Sequence, residues 1–308
     1  MLEGSKLVDA AATAAAGQQY PAASLYVVAT PIGNLADLTL RALHVLASCD
    51  AIACEDTRHS AALLRHFSIA KPLIAVHEHN ERDAAGAVLA RLGRGDRVAY
   101  VSDAGTPAVS DPGAGLVAAA RAAGYRVVPI PGASSALAAV SAAGDTGSGG
   151  FALVGFVPAR GSERAKALAE VARAASTQVL FEAPHRIESL AGALATACPD
   201  RTATLCRELT KQFETIVTMP ARALPAWLAA DANRARGEFV VVLHSLPQAD
   251  AAESAGAHDT VLVPLLAALP LKQAVALAAE ISGASRNLLY ARALSLKGAA
   301  PAENGPAP

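Results

Sequence analysis

Four cysteines in 308 residues are too few to staple a chain of this length. Cys49, Cys54, Cys198 and Cys206 never stand in C-x-x-C spacing, so they read as ordinary reduced thiols and no metal is expected. Aromatics make up 4% of the chain, too little stacking surface for a non-catalytic RNA-binding adaptor. A formal net charge of -1 excludes an all-over basic coat, so any contact with a polyanion must come from local clusters of Arg, Lys and His. Long apolar runs are missing too. Val127 to Gly144 carries no charge, but Pro129, Pro131 and Gly132 interrupt it, which suits strand, loop and short helix rather than a membrane span. Glu3 and Asp9 stand among small residues where a secretory signal needs a strongly apolar stretch, so the expected compartment is cytoplasmic. No GxxxxGK phosphate loop exists. Gly113, Gly115 and Ala118 fit G-x-G-x-x-A, but a long loop separates them from the preceding strand and no acidic residue follows about twenty positions later, which argues against a nicotinamide-dependent oxidoreductase.

What the chain does have is alternation. Short β-branched runs at Leu25 to Thr30, Ala51 to Cys54, Leu73 to Val76, Arg97 to Ser102 and Arg126 to Pro129 are separated by helical stretches, the pattern of a mostly parallel sheet. After the Gly-rich stretch Gly144 to Gly150, a second block offers strands at Phe151 to Val154, Gln178 to Phe181, Thr202 to Arg207, Phe213 to Thr218 and Glu238 to Leu243. Two of these leave no room for a helix between them, so the second sheet should be mixed. Residues 1–23 lack a bulky periodic face and read as a disordered leader. The domains expected are then 24–132 and 133–245, both α/β, a polar linker at 246–258, a helical segment at 259–298 and a disordered tail at 299–308. Within the helical segment, Leu271 to Ser282 and Arg286 to Leu296 read as two amphipathic helices joined at Gly283, with Ser285 placed to cap the second.

Ligands of open α/β sheets bind where loops leave the carboxyl ends of strands. Three such loops are unusual here: TPIGN at Thr30 to Asn34, SDAGTPAVSDPG at Ser102 to Gly113, and PGASSA at Pro131 to Ala136. Gly beside Pro makes stiff backbone with little side-chain bulk, suited to a flat adenosine and a zwitterionic tail. Any one of these loops alone would read as a tight turn.

Together with FALVGFVPARG (Phe151 to Gly161), CEDTRH, FEAPHR (Phe181 to Arg186), CRELTKQFET (Cys206 to Thr215) and GEFVVVL (Gly237 to Leu243), these loops resemble the tetrapyrrole-methylase-like superfamily. Within it, ATPIGNL, CEDTRH and SDAGTPAVSDPG in this order resemble the ribosomal RNA small-subunit methyltransferase I family, over approximately Leu25 to Leu243. The resemblance implies two α/β domains with a donor cleft between them, a small C-terminal helical segment and a homodimer. It also implies transfer of a methyl group from S-adenosylmethionine to the ribose 2′-hydroxyl of cytidine 1402 in the 16S ribosomal RNA of the small subunit. Fold relatives that act on porphyrinoids usually carry G-x-G-P-G in the first loop, where this chain has Pro31, Ile32, Gly33 and Asn34. That departure favours RNA over a tetrapyrrole precursor or a protein side chain, which stay as alternatives.

Carried over from the family pattern, Pro31, Ile32, Gly33, Asn34, Asp103, Ala104, Gly105 and Thr106 would surround the donor, with Ser134, Ala183 and Pro184 completing the pocket. A ribose hydroxyl is a poor nucleophile, so a base is sought among Glu55, Asp56, Glu208 and Lys211, with Glu182 also at hand. Three of them have a plainer role: helix capping for Asp56, an exposed ion pair for Glu208 and Lys211. RNA phosphates would meet scattered cations, Arg58, Arg160 and Arg186, with Arg65, Arg164 and Lys166 near them. Lys272 and Arg286 in the helical segment would either dock RNA or merely decorate a hairpin that packs on the rest of the molecule.

Overall fold

The computed structural model describes residues 4–77, 81–147, 150–246, 258–284 and 286–298. They fall into two compact units that divide between His244 and Ser245.

Five short strands, β1 Ser24–Val28, β2 Ala51–Cys54, β3 Leu73–Ala75, β4 Arg97–Val101 and β5 Arg126–Ile130, pair in parallel in the order β3-β2-β4-β1-β5. Alternate residues of these strands feed two different cores, as the period of two requires. Tyr26, Val28, Ile52, Cys54, Ala99 and Val101 pack under α1 Gly4–Ala15, α2 Leu40–Ser48 and α3 Thr57–His66. Leu25, Ala53, Val98 and Tyr100 face the other way, onto α4 Glu81–Gly93 and α5 Ala114–Ala122. Covering both faces explains why the central strands β1, β2 and β4 are apolar along most of their length rather than alternating.

Helix α1 departs from the disordered leader expected at residues 1–23. It has no bulky stripe; instead Ala11 and Ala15 are buried against α2, with Leu7 and Val8 partly covered. Small residues let two helices approach closely, so the packing stabilises a helix that hydrophobic periodicity does not reveal. Tyr20 anchors the following turn, its ring tilted against His44 with centroids 4.6 Å apart while its carbonyl accepts from Arg97 Nε at 2.8 Å.

The second sheet contains β6 Phe151–Phe156, β7 Thr177–Glu182, β8 Thr202–Arg207, β9 Thr215–Pro220 and β10 Phe239–Leu243, in the order β6-β7-β10-β8-β9. Only β6 and β7 are parallel, so the sheet is mixed as expected. One face, with Leu180, Leu205 and Val241, packs on α7 Gly161–Arg173, α8 Ile187–Ala197 and α9 Leu224–Ala229. The other, with Val179, Cys206, Val240 and Val242, packs on Ala136, Ala139 and Ala143 of α6 Ser135–Ala143. Strand β9 starts two residues later than the pattern suggested: Phe213 lies in the turn before β9, not in it.

Among the described residues of the second unit, three helices rather than two enclose a small core. α10 Asp259–Ala268 precedes α11 Leu271–Ser282 and α12 Arg286–Gly298, around Leu262, Val275, Ala278, Leu289 and Ala293. Pro264 inside α10 hides it from sequence reading, because proline normally ends a helix. Arg292 closes the bundle, its Nε donating to Asp259 Oδ1 at 3.0 Å and its Nη2 to Asp259 Oδ2 at 2.5 Å. Ser285, most of the 246–258 linker and the 299–308 tail lie outside the described residues.

Candidate active site

Strand order decides where a ligand can sit. From β1 the chain crosses to β2 on one side of β4, and from β4 it crosses to β5 on the other side of β1, so the loops after β1 and β4 flank a crevice. Backbone zips the two loops together: Thr30 N donates to Gly105 O at 2.8 Å and Gly105 N to Thr30 O at 3.1 Å. The loop after β5 joins through Thr106 Oγ1, which donates to Ala133 O at 3.1 Å. Gly105 has φ +85° and its missing Cβ would sit 3.4 Å from Ile32, so a side chain here would be both strained and crowded.

A cavity of about 380 Å³ opens beside these loops. Ile32, Ala104, Gly105, Thr106, Val109, Asp111, Ser134 and Ser135 form one wall; Phe156, Phe181, Glu182, Ala183, Pro184, Leu209, Glu238, Phe239 and Val240 form the other. Ser134 caps α6, its Oγ accepting from Leu137 N. That places the positive end of the helix at the wall, where it suits a carboxylate. The volume lies in the range of small-molecule sites, roughly 300–1,000 Å³.

Of the eleven donor-site residues expected, the cavity wall includes Ile32, Ala104, Gly105, Thr106, Ser134, Ala183 and Pro184; Pro31, Gly33, Asn34 and Asp103 stand outside it. Asn34 caps a short helical turn by accepting from Ala36 N, Asp103 Oδ1 accepts from Asp56 N at 3.1 Å, and Gly33 lies against Thr210 and Lys211. Val109, Asp111, Phe156, Phe181, Leu209 and Val240 were not foreseen, because in sequence they read as strand core or loop filler. Backbone strain was equally invisible: Ala108, Ser110, Glu208 and Thr210 all have positive φ, between 53° and 66°. A non-glycine residue there costs about 1–3 kcal/mol, and such residues cluster at working sites.

None of the four base candidates lines the cavity. Asp56 caps α3 and accepts from Arg58 N at 2.7 Å and Arg58 Nη2 at 2.9 Å; these bonds hold its carboxyl at about 2. Lys211 Nζ donates to Glu208 Oε1 and to Glu238 Oε2, each at 2.8 Å. Burial pushes the Lys211 ammonium down, but its two carboxylate partners outweigh that and hold it above its usual value. A group held charged cannot take a proton, which favours an electrostatic role for Lys211 over a base. Burial likewise pushes Glu208 up, yet the bonds from Lys211 and from Glu238 N leave it below the usual range. Glu55 goes the other way: burial raises it first, Asp103 second. Among carboxylates of the wall, Asp111 is raised by burial, with Asp103 adding repulsion against a hydrogen bond from Ser102.

The cations separate as well. Arg58 is exposed apart from its pairing with Asp56, Arg160 is exposed at the start of α7, and Lys272 and Arg286 are exposed in the second unit. Arg186 is committed inward: Nη2 donates to Val157 O at 2.6 Å and Nε lies 3.1 Å from the buried Glu182 carboxylate. Arg164 is buried beside it and donates to Pro158 O. Both pin the loop after β6, so neither is free for an RNA phosphate.

Residues 24–225 match the family model described as Tetrapyrrole (Corrin/Porphyrin) Methylases. A curated protein of Pseudomonas aeruginosa named Ribosomal RNA small subunit methyltransferase I is 50% identical over 279 residues, covering 90% of this chain and 99% of that protein. The chain belongs to the ribosomal RNA small subunit methyltransferase I family. A second model, RsmI C-terminal HTH domain, matches residues 251–297, so the three-helix unit is a feature of this family too. Among solved structures, a cobalt precorrin-4 methyltransferase of cobalamin biosynthesis superposes with TM-score 0.55 at 19% identity, over 71% of this chain and 94% of that one. A uroporphyrin-III C-methyltransferase from Thermus thermophilus, solved with S-adenyl homocysteine, gives 0.50 at 19% identity, over 71% and 96%. These two share the fold; the likeness to the rRNA methyltransferase I family at half identity is what distinguishes this chain among them.

Proposed function

We propose that this chain methylates ribosomal RNA of the small subunit, using S-adenosylmethionine and acting on the 2′-hydroxyl of cytidine 1402 in 16S rRNA. The observation that carries the reading is the cavity at the β1 and β4 loop ends, walled by backbone and small side chains, in a chain half identical to a named rRNA methyltransferase. The Gly105 main chain, the Ala183-Pro184 turn and the α6 N-terminus fit an adenosine with a zwitterionic tail in shape and charge. S-adenosylmethionine, when bound, supplies an electrophilic methyl group on a sulfonium.

Methyl transfer to oxygen is an in-line displacement, so the protein's largest contribution is to hold the acceptor collinear with the donor in a water-poor site. Stiff loops serve that purpose. Removal of the hydroxyl proton falls to Asp111, the wall carboxylate whose affinity for a proton burial raises. Glu55, one loop away, shares the raised state and is the second choice; Asp56, Glu208 and Lys211 act by capping and by charge. Arg58 and Arg160, with Lys272 and Arg286 of the helical unit, meet RNA phosphates. A homodimer accounts for the exposed apolar residues Leu137, Phe151, Phe213 and Ile216. Among the described residues no helix is long and apolar enough to cross a membrane. A ribosomal RNA substrate places the protein in the cytoplasm.

Labelled S-adenosylmethionine offered with 30S subunits, free 16S RNA and a tetrapyrrole precursor tests the reading. Label in RNA, lost when the acceptor cytidine carries a 2′-deoxy sugar, supports it. Label in the tetrapyrrole alone overturns it.

A further inference from the structure

Strand β6 is not regular. Its register against β7 runs Leu153 to Val179, then Gly155 to Leu180 and Phe156 to Phe181, with a bulge between Leu153 and Gly155. Gly155 takes φ +70°, a conformation that suits the bulge and that a side chain would resist. Simple alternation would put Phe156 on the face opposite Leu153. The inserted residue turns it onto the same face, beside Phe181, with ring centroids 5.7 Å apart at 62°. Both rings line the cavity.

Phe156 remains 58% exposed there, in a chain with only six phenylalanines. Val109 is the other large apolar wall residue left open, at 42%. It sits on the loop strained at Ala108 and Ser110, and Ser110 Oγ comes within 3.2 Å of where a Gly155 Cβ would be, so loop and bulge support each other. Bulge, strain and exposure all serve to hold one ring open to the cavity. A two-substrate site needs the donor inside and the acceptor arriving from the open side, so the exposed side chains are those the acceptor meets.

We infer that Phe156 is the platform on which the base of the acceptor nucleotide stacks, with Val109 bracing its edge. The inference rests on the rRNA reading proposed above. An unpaired nucleotide drawn towards a methyl donor loses the stacking of its neighbours, and an aromatic face replaces it. Phe156 is thus a substrate-positioning contact, separate from donor binding.

Wild type, Phe156→Ala, Phe156→Leu and Phe156→Tyr are compared by labelled transfer to 30S subunits, by calorimetry with S-adenosylhomocysteine and by gel filtration. Removing a stacking side chain should lower kcat/KM for RNA by roughly 5- to 150-fold in F156A and F156L. F156Y should retain wild-type activity, and all three should bind S-adenosylhomocysteine within about twofold of wild type and elute alike. Since the ring is exposed, folding should not suffer. F156L as active as wild type overturns the inference, as does a parallel loss of S-adenosylhomocysteine binding or a changed oligomeric state. Wild type that labels RNA while F156A is unaffected sinks this inference alone. Wild type that labels no RNA sinks the proposed function and the inference with it.

Discussion

Gly33 and Lys211 touch across the cleft: a Cβ on Gly33 would fall 2.5 Å from Lys211 Cγ. One residue follows β1 of the first sheet, the other follows β8 of the second, so the two halves of the site are locked at a point where no side chain fits. Replacing Gly33 with Ala forces Lys211 and Thr210 aside. The expected outcome is a cost of about 1–3 kcal/mol in urea unfolding and a clear loss of affinity for S-adenosylhomocysteine by calorimetry. Unchanged affinity would mean that this contact does not shape the donor pocket.

Lys211 should act through its charge. Substituting Met removes the ammonium that holds Glu208 below the usual carboxylate range, so the Glu208 carboxyl should rise. The sign follows: a depressed carboxyl adds stability above its unfolded value, near 4.3, and loses it as the pH falls through the folded value. Wild type should therefore gain stability over Lys211→Met at neutral pH and lose that advantage on acidification below about 4. Carboxyl titration by NMR checks the Glu208 shift directly.

Asp111 makes the opposite prediction. Burial raises its carboxyl, so the fold favours the protonated form: the stability associated with it is present at low pH and declines as the pH rises through the folded value. Asp111→Asn should leave the protein as stable as wild type or more so at neutral pH. Methyl transfer, in contrast, should fall by about 10²-fold or more if the carboxylate takes the proton. A variant with full activity would remove Asp111 from the chemistry.

Asp56 separates capping from catalysis. Asn caps a helix as well as Asp, so Asp56→Asn should match wild type in thermal unfolding and in turnover with saturating donor. Asp56→Ala should unfold at a lower temperature. A large turnover defect in the Asn variant would restore Asp56 as a base.

Arg186 and Arg160 differ in the same way. Arg186→Ala breaks a contact with the buried Glu182 and should cost several kcal/mol, roughly 3–5, in unfolding. Arg160→Ala should leave stability alone and weaken RNA binding in a salt-dependent manner. Filter binding across a salt series distinguishes the two.

Periodicity and loop chemistry were enough to locate the ten strands among the described residues to within about two residues, because a central strand buried on both faces is apolar along most of its length, an edge strand such as β9 alternates, and each must end in a turn. The three Gly and Pro loops marked the crevice for the same reason: backbone that approaches a ligand needs small or rigid residues. Three things were decided only by the packed molecule. Helix α1 forms because alanines meet α2 closely, which leaves no bulky stripe to read. Arg186 turns inward because a buried carboxylate lies within reach, and Phe156 faces the cavity because a bulge shifts its strand by one residue. Such features depend on partners distant in the chain. Local propensity proposes elements, and desolvation and register, acting between elements, decide which side chains are left open to a ligand.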